Sequence, residues 1–365
     1  MIYLDHGATS FPKPLPVRRA VEEAMLRCTS PGRGGYASAM AAAEQVYDCR
    51  ELAAELFDCQ PEQVAMTFNC THGLNVAIRT LVKPGERVVV SGFEHNAVVR
   101  PLHALGAKMM LAGRRLFDWE DTLTAFEQAL RTGPKAAVFT HVSNVFGYIL
   151  PVEELSALCR RYGVPFIVDA AQSAGSLPVR LKQWGADFVA MPGHKGLLGP
   201  QGTGLLLCGR TPDPLLHGGT GSESIRRDMP DQLPDRMEAG TMNIPGIAGL
   251  AAGLRYIRRQ GVESIGHRER EQVKVLIAGL RRLGLRVFSG AHQAGAVSFL
   301  PEADCEELAQ KLAGKGIAVR AGLHCAPLAH ESAGTLETGT VRVSFGHDAA
   351  MAQTYGFIRE MAALS

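Results

Sequence analysis

No Cys-x-x-Cys pair occurs among the eight cysteines (Cys28, Cys49, Cys59, Cys70, Cys159, Cys208, Cys305 and Cys325), and no His-Glu-x-x-His pair among the twelve histidines. Zinc, iron–sulfur and thioredoxin-like readings therefore lack support, no metal is expected, and a chain this long does not need disulfide staples. A reducing, cytoplasmic setting is the expectation. Basic runs are also missing: Lys+Arg 38 against Asp+Glu 36 leaves a formal charge of +2. Nucleic acid and anionic membranes, which need a concentrated positive field, are poor partners for such a surface. No stretch approaches the roughly 18 apolar residues of a membrane span, and Met1-Ile2-Tyr3-Leu4-Asp5-His6-Gly7 lacks a basic segment followed by an apolar one. Neither secretion nor membrane insertion is expected, and a small molecule is the favoured partner.

What is present is a core. Hydrophobic residues make up 46% of 365, and at roughly 150 residues per domain the length suggests about two domains. Short apolar runs alternate with amphipathic ones from about residue 60 to 210, as in βα units feeding a mostly parallel sheet. Seven strands are expected near Val64–Phe68, Arg87–Val90, Met109–Leu111, Ala136–Thr140, Pro165–Asp169, Asp187–Met191 and Gly204–Cys208. Helical patterns cover Ala39–Phe57, Thr71–Val82 and Val152–Tyr162. A Pro- and Gly-rich stretch from Thr211 to Pro234 reads as a functional loop region. From Ile244 the chain is helical to about Leu283, and an α+β pattern follows, with a last helix expected at His347–Ala363. The fold class is α/β, with a large unit at 15–245 and a smaller α+β unit formed by 1–14 and 246–365.

Two familiar phosphate-binding patterns fail. Gly199-Pro200-Gln201-Gly202-Thr203-Gly204 has the wrong spacing for a dinucleotide fingerprint and leads into a strand, and Gly314-Lys315-Gly316 lacks the rest of a phosphate loop. The chemistry concentrates elsewhere. The apolar run Pro165-Phe166-Ile167-Val168 ends in Asp169, which places an acid at the crevice where open α/β sheets bind ligands; a turn or capping acid is the bland alternative. Gly193-His194-Lys195-Gly196 follows another strand, in apolar surroundings that lower a lysine pKa and make its amine nucleophilic; the alternative is a solvated loop lysine. Together Asp169 and Lys195 look like a pyridoxal 5′-phosphate site, with the amine linked to the cofactor and the carboxylate keeping its ring nitrogen protonated. Asn69-Cys70-Thr71-His72 opens a helix whose amides and Thr71 hydroxyl suit a phosphate. His95 follows a strand where an imidazole can stack on a ring, and Asn144 ends a further strand at the same sheet edge.

These residues, with Tyr3-Leu4-Asp5-His6-Gly7-Ala8-Thr9, His141-Val142-Ser143-Asn144, Asp169-Ala170-Ala171-Gln172 and Glu238-Ala239-Gly240-Thr241, stand in an order that resembles the class V aminotransferase family. The likeness is to its cysteine desulfurase and selenocysteine lyase branch within the fold-type I pyridoxal-phosphate enzymes. It implies that Lys195 is the Schiff-base lysine, Asp169 meets the ring nitrogen, Gln172 bonds the ring hydroxyl and His95 stacks. Thr71, His72 and His194 are implied to serve the cofactor and its phosphate. Thr241 is implied to serve the phosphate of a partner subunit, hence a homodimer with composite active sites.

The scaffold also hosts transaminases, epimerases and kynureninases, so the reaction needs a further signal. Arg320-Ala321-Gly322-Leu323-His324-Cys325-Ala326-Pro327 is similar to the cysteine-bearing loop of second-group desulfurases. A desulfurase needs a thiol to take sulfur from L-cysteine as a persulfide, and Cys325 near His324 and Arg320 fits that task; a structural loop cysteine is the alternative. The seven other cysteines fall within or at the ends of regular elements and read as small buried hydrophobes. Arg342 interrupts an apolar strand and is suited to grip an α-carboxylate, with Asn144 beside it; pairing with an acid is its alternative. The expected activity is conversion of L-cysteine to L-alanine, with sulfur passed on to an acceptor protein. Selenocysteine lyase, aminotransferase and epimerase activities stay open, as does a non-catalytic binding module. Two departures from the family pattern stand out: Pro192, where a Ser would add a phosphate contact, and Arg33-Gly34-Gly35-Tyr36 in place of Arg-Gly-x-His.

Overall fold

The computed structural model describes residues 1–31 and 34–364; Arg33 lies outside them. Strands are numbered in chain order: β1 (Ile2–Tyr3), β2 (Val64–Thr67), β3 (Arg87–Ser91), β4 (Lys108–Ala112), β5 (Ala136–Thr140), β6 (Phe166–Asp169), β7 (Phe188–Pro192) and β8 (Gly204–Cys208), followed by β9 (Arg286–Phe288), β10 (Ala296–Leu300), β11 (Ile317–Ala318), β12 (Arg320–Gly322) and β13 (Thr340–Ser344). β2 to β8 form one seven-stranded sheet in the order β2-β8-β7-β6-β5-β3-β4. Only β8 runs against its neighbours β2 and β7; the pairs from β7 through β4 are parallel. All seven strands lie where the alternation of apolar runs puts them.

The sheet is apolar throughout because both of its faces are covered. Val89, Phe139 and Val168 enter one hydrophobic cluster, while their neighbours Val88, Val138 and Ile167 enter another on the opposite face. Helix Cys70–Leu81 covers the second face, its start capped by the Asn69 side chain, which accepts a 2.9 Å bond from the His72 N–H. Helix Ala37–Phe57 covers the first. Helix Ile244–Gln260, from the segment that the sequence pattern groups with the smaller unit, packs Ile247, Leu250 and Leu254 into that first cluster as well.

A four-stranded antiparallel sheet, β12-β13-β10-β9, has its own cluster around Leu276, Val297, Phe299, Val341 and Phe357. Its neighbour is the chain start: β1 pairs in parallel with β11, and Asp5 bridges to Ser344 at the end of β13. The last helix begins at Met351 rather than at His347, because His347 and Asp348 form a turn beyond β13. Helix Cys305–Gly314 starts where Asp304 accepts bonds from the Glu306 and Glu307 amides. Among the described residues no helix is long and apolar enough to cross a membrane.

Candidate active site

The carboxyl ends of β2, β3, β5, β6 and β7 all open on one edge of the large sheet, and the residues just beyond them wall a cavity of about 620 Å³. Asn69, Cys70 and Thr71 come from the turn after β2, His95 from that after β3, Asn144 from that after β5, Asp169 and Gln172 from the end of β6, and His194 and Lys195 from the turn after β7. Residues up to 126 positions apart in sequence thus meet because parallel strands deliver their ends to the same place.

Lys195 is held on a tight turn. Leu198 N–H donates to its carbonyl at 2.9 Å, and a Cβ on Gly196 would strike the Ala174 carbonyl, so the residue after the lysine has no room for a side chain. The ammonium has no hydrogen bond or ion pair within 4 Å among the described residues. Burial lowers its pKa, opposed by Asp169, which makes the amine easier to deprotonate to its nucleophilic form. Asp169 is buried at 3% exposure, accepts from Ala171 N–H at 2.9 Å and lies 3.5 Å from the Cys70 sulfur. Burial raises its pKa, against the pull of the Ala171 amide and Lys195. A buried carboxylate without a cation within 4 Å among the described residues is costly unless something positive meets it. A protonated ring nitrogen is such a group, and the unpaired lysine opposite, with the capped helix start at Thr71, supplies an amine and a phosphate seat. Pyridoxal phosphate fits the donor set.

His95 begins helix Asn96–Ala104, its Nδ1 accepting from Ala97 N–H at 3.0 Å, which leaves the hydrogen on Nε2. Burial, helped by Lys195 and Arg320, pushes its pKa down to about 4, so the ring is neutral at pH 7. His194 shares a 3.1 Å contact with the Thr9 hydroxyl, and its carbonyl accepts from Ser10 N–H (3.0 Å) and Lys13 Nζ (2.7 Å). Thr71 lines the cavity and is exposed; Pro192 lines it without a backbone or side-chain donor. Gln172 also lines it, yet its amide donates to the Gly7 carbonyl at 3.0 Å. His72 and Thr241 instead line an adjoining cavity of about 540 Å³, the His72 ring stacked on Phe68. Thr241 does not line the Lys195 cavity. Tyr36 caps the start of helix Ala37–Phe57 and also stays outside that cavity.

Cys325 lies beyond β12, on the other sheet. Of the cysteines among the described residues it is the exposed one, and both it and His324 adopt left-handed backbone, φ 57° and 49°. Its carbonyl accepts from Asn96 N–H at 2.8 Å, and the His324 carbonyl accepts from Asn144 Nδ2 at 2.7 Å. The loop is thereby pinned to two elements that wall the Lys195 cavity. Arg320 Nη2 stands 3.9 Å from the thiol sulfur. The neighbour in sequence, His324, turns inward: it is 3% exposed, its Nε2 lies 3.1 Å from the Thr340 carbonyl, and burial lowers its pKa to about 2.

Arg342 is 1% exposed and already occupied, donating to Asp5 Oδ1 at 2.7 Å and to the Asn144 carbonyl at 2.8 Å. Arg320 sits directly opposite it across the β12–β13 ladder and has no acidic partner among the described residues. Two facing arginines, of which Arg342 alone pairs with an acid among the described residues, leave a net positive spot, which suits an incoming carboxylate.

Several polar groups of this edge escape a reading by motif. Glu94 is fully buried, accepts from Thr140 N–H at 2.8 Å and from the Ser91 hydroxyl, and ties the end of β3 to that of β5. Burial raises its pKa to about 8. Asp5 reaches Arg342 over 337 positions, a separation with no signal in spacing. Lys13, its pKa lowered to about 8 by burial, belongs to the clamp on His194.

A sheet of this order with one reversed strand, and a lysine and an acid facing each other at its carboxyl edge, is that of the fold-type I pyridoxal-phosphate scaffold. The chain belongs to the aminotransferase class-V family, whose model matches residues 2–354. It is 34% identical to a probable cysteine desulfurase of Pyrococcus abyssi, over 94% of this chain and 89% of that one. A probable cysteine desulfurase of Methanothermobacter thermautotrophicus is 32% identical over the same shares. Among solved structures, the apo cysteine desulfurase of Thermococcus onnurineus NA1 superposes with a TM-score of 0.92 at 33% identity, covering 100% of this chain and 94% of that one. The cystine C-S lyase C-DES, at 23% identity and a TM-score of 0.83, shares the fold, over 99% of this chain and 97% of that one.

Proposed function

We propose that this chain is a pyridoxal 5′-phosphate-dependent cysteine desulfurase that converts L-cysteine to L-alanine and keeps the sulfur as a persulfide on Cys325. The observation that carries the reading is the exposed Cys325 thiol on a loop pinned through Asn96 and Asn144 to the walls of the Lys195 cavity. The similarity to cysteine desulfurases of 32–34% identity supports the same reading.

Bound in the cavity, the cofactor supplies an electron-accepting ring that makes the substrate α-proton labile. Lys195 Nζ, its pKa lowered by burial, takes and returns that proton. Asp169, fixed by the Ala171 amide, holds the ring nitrogen protonated, and the neutral His95 imidazole offers a face for stacking. Gln172 would serve the ring hydroxyl on release of its bond to Gly7, and Thr71 and His194 would serve the phosphate, with Thr241 of a partner subunit completing it in a homodimer; His72, stacked on Phe68 outside the cavity, has no part in it. Arg320, with Arg342 and Asn144 behind it, receives the α-carboxylate. Cys325 Sγ then attacks the substrate sulfur: the C–S bond breaks, an S–S bond forms, the thiol proton is lost, and the carbon left behind is protonated to give alanine. Residues 15–245 form the unit that walls this cavity, and the remainder forms a second unit whose Cys325 loop is pinned beside it; the protein works in the cytoplasm, and a sulfur-acceptor protein removes the persulfide.

The test is incubation of cofactor-loaded protein with L-cysteine and excess reductant, measuring alanine and sulfide for wild type and Cys325→Ala. Equimolar products that vanish with the substitution are the expected result. Sulfide release undiminished in Cys325→Ala rejects the persulfide role. Turnover that depends on a keto acid and ignores Cys325 points to an aminotransferase, racemisation without alanine to an epimerase, and activity confined to selenocysteine to a lyase.

A further inference from the structure

The chain start and the turn after β13 meet in a cluster that the desulfuration chemistry does not use. Asp5 bridges to Ser344, and Gly7 N–H donates to the Ser344 hydroxyl at 2.8 Å, so the two segments run side by side and bring His6 against His347 and Asp348. A Cβ on Gly346 would collide with the His6 ring, so glycine is what lets the two segments close up. Tyr3 packs edge-on against His6 with ring centroids 4.9 Å apart, and Tyr256 against His347 at 5.6 Å. Both imidazoles are oriented by their surroundings before anything binds.

The distances are longer than those of good hydrogen bonds and approach those between the ligands of one ion. His6 Nε2 lies 3.4 Å and His347 Nδ1 3.8 Å from Asp348 Oδ1, and one ligand atom from each residue falls within 4.8 Å of the others. Good N–H···O bonds are shorter, at about 2.7–3.2 Å. Two ligand atoms of a tetrahedral site with metal–nitrogen bonds of about 2.0–2.1 Å stand about 3.3 Å apart. The first contact matches that edge, the second needs a small contraction, and the two imidazole nitrogens, within 4.8 Å of each other, close the rest of the way on the ion. A second observation points the same way: the His347 side chain is 7% exposed, and its Nδ1, aimed at Asp348, is buried with no hydrogen-bond partner. Asp348 is one-third exposed, which leaves an open side for water or a further ligand.

We propose that His6, His347 and Asp348 form a binding site for one divalent transition-metal ion of the zinc, cobalt or nickel type. Two imidazole nitrogens and one carboxylate oxygen select such ions over magnesium and calcium, which prefer oxygen. Asp5 adds negative charge nearby, while Lys13 and Arg268 oppose it and weaken the affinity. The ion would clip the chain start to the end of β13, one residue from the Asp5–Arg342 pair. It would stand on the wall of a cavity of about 570 Å³ that Lys195 also lines. This site does not depend on the reaction proposed above.

The test is equilibrium titration of Co²⁺ into the full chain, loaded with pyridoxal phosphate and dialysed free of excess cofactor, with the visible ligand-field spectrum and metal content as readouts. One Co²⁺ per chain is expected, without a thiolate charge-transfer band. Asp348→Asn and His347→Gln should each raise the dissociation constant by about tenfold or more, whereas Cys325→Ala should not change it. The absence of stoichiometric uptake by wild type overturns the proposal. So does uptake that survives Asp348→Asn, or uptake that shows a thiolate band and disappears with Cys325→Ala. Asp348 is solvent-facing, so that variant decides the matter even where His347→Gln folds poorly.

Discussion

The Lys195 turn and the Cys325 loop stand on opposite sheets, and they are built on opposite principles. Around Lys195 the backbone is locked by close packing at Gly196, the carboxylate partner is buried, and the aromatic neighbour His95 is held neutral. Around Cys325 the side chain is exposed, two consecutive residues sit in left-handed backbone, and the loop is held through its carbonyls. The contrast suits the two tasks that we propose. A proton-moving amine needs a dry pocket that tunes its pKa, whereas a sulfur carrier has to reach a substrate on one side and solvent or an acceptor on the other.

The sharpest way to break this contrast is Lys195→Ala, which should lower alanine formation by about 10³-fold or more while leaving Cys325 as reactive toward an alkylating reagent as in wild type. A matching fall in thiol labelling would show that the two regions are one unit. Next in size is the difference between the two facing arginines. Arg342→Ala strands Asp5 in a largely buried site and should cost about 3–5 kcal/mol of stability, read by denaturant unfolding. Arg320→Ala should leave unfolding nearly unchanged and lower kcat/KM by about 10–100-fold, mainly through KM. If the two variants behave alike, the division into a structural and a substrate arginine fails.

Glu94 extends the comparison to pH. Its carboxyl titrates near 8 in the folded protein and near 4.5 when unfolded, so the folded state holds the proton more tightly. Its contribution to stability is full below about 4.5 and is lost as pH rises toward 8. Glu94→Gln should therefore flatten the fall in thermal midpoint between these pH values; an unchanged slope would mean that Glu94 is not the group responsible. The smallest effect concerns the loop alone. Glycine carries no penalty at φ 57°, so Cys325→Gly should be more stable than Cys325→Ala by about 1 kcal/mol, although both lack the thiol. Equal stabilities would show that the left-handed turn is unstrained.

Much of the site is legible in the sequence, because parallel strands obey a simple rule: residues just past the carboxyl end of each apolar run arrive at one edge. Asp169, Lys195, His95, Asn144 and Thr71 all satisfy it and all line one cavity. The directions in which side chains turn are not legible in that way. His324 and Cys325 are adjacent in sequence, yet one is buried against Thr340 and the other exposed, since successive side chains on a tight loop point apart. Arg342 reads as a free carboxylate grip from its strand alone, and Asp5 occupies it from 337 positions away. Gln172 lines the cavity but gives its amide to Gly7.

The periodicity of apolar residues determined, by itself, the α/β class and the seven strands, because burial on both faces forces continuous apolar runs and leaves chemistry only at their ends; the family rests on the likeness of the motifs found there. The tertiary structure alone decided the polar partners: Asp5 with Arg342, Glu94 with the ends of β3 and β5, and His6 with His347 and Asp348. Such pairs join the chain start, the sheet edge and the last turn. Their energies depend on distance and burial, and neither is written in local sequence.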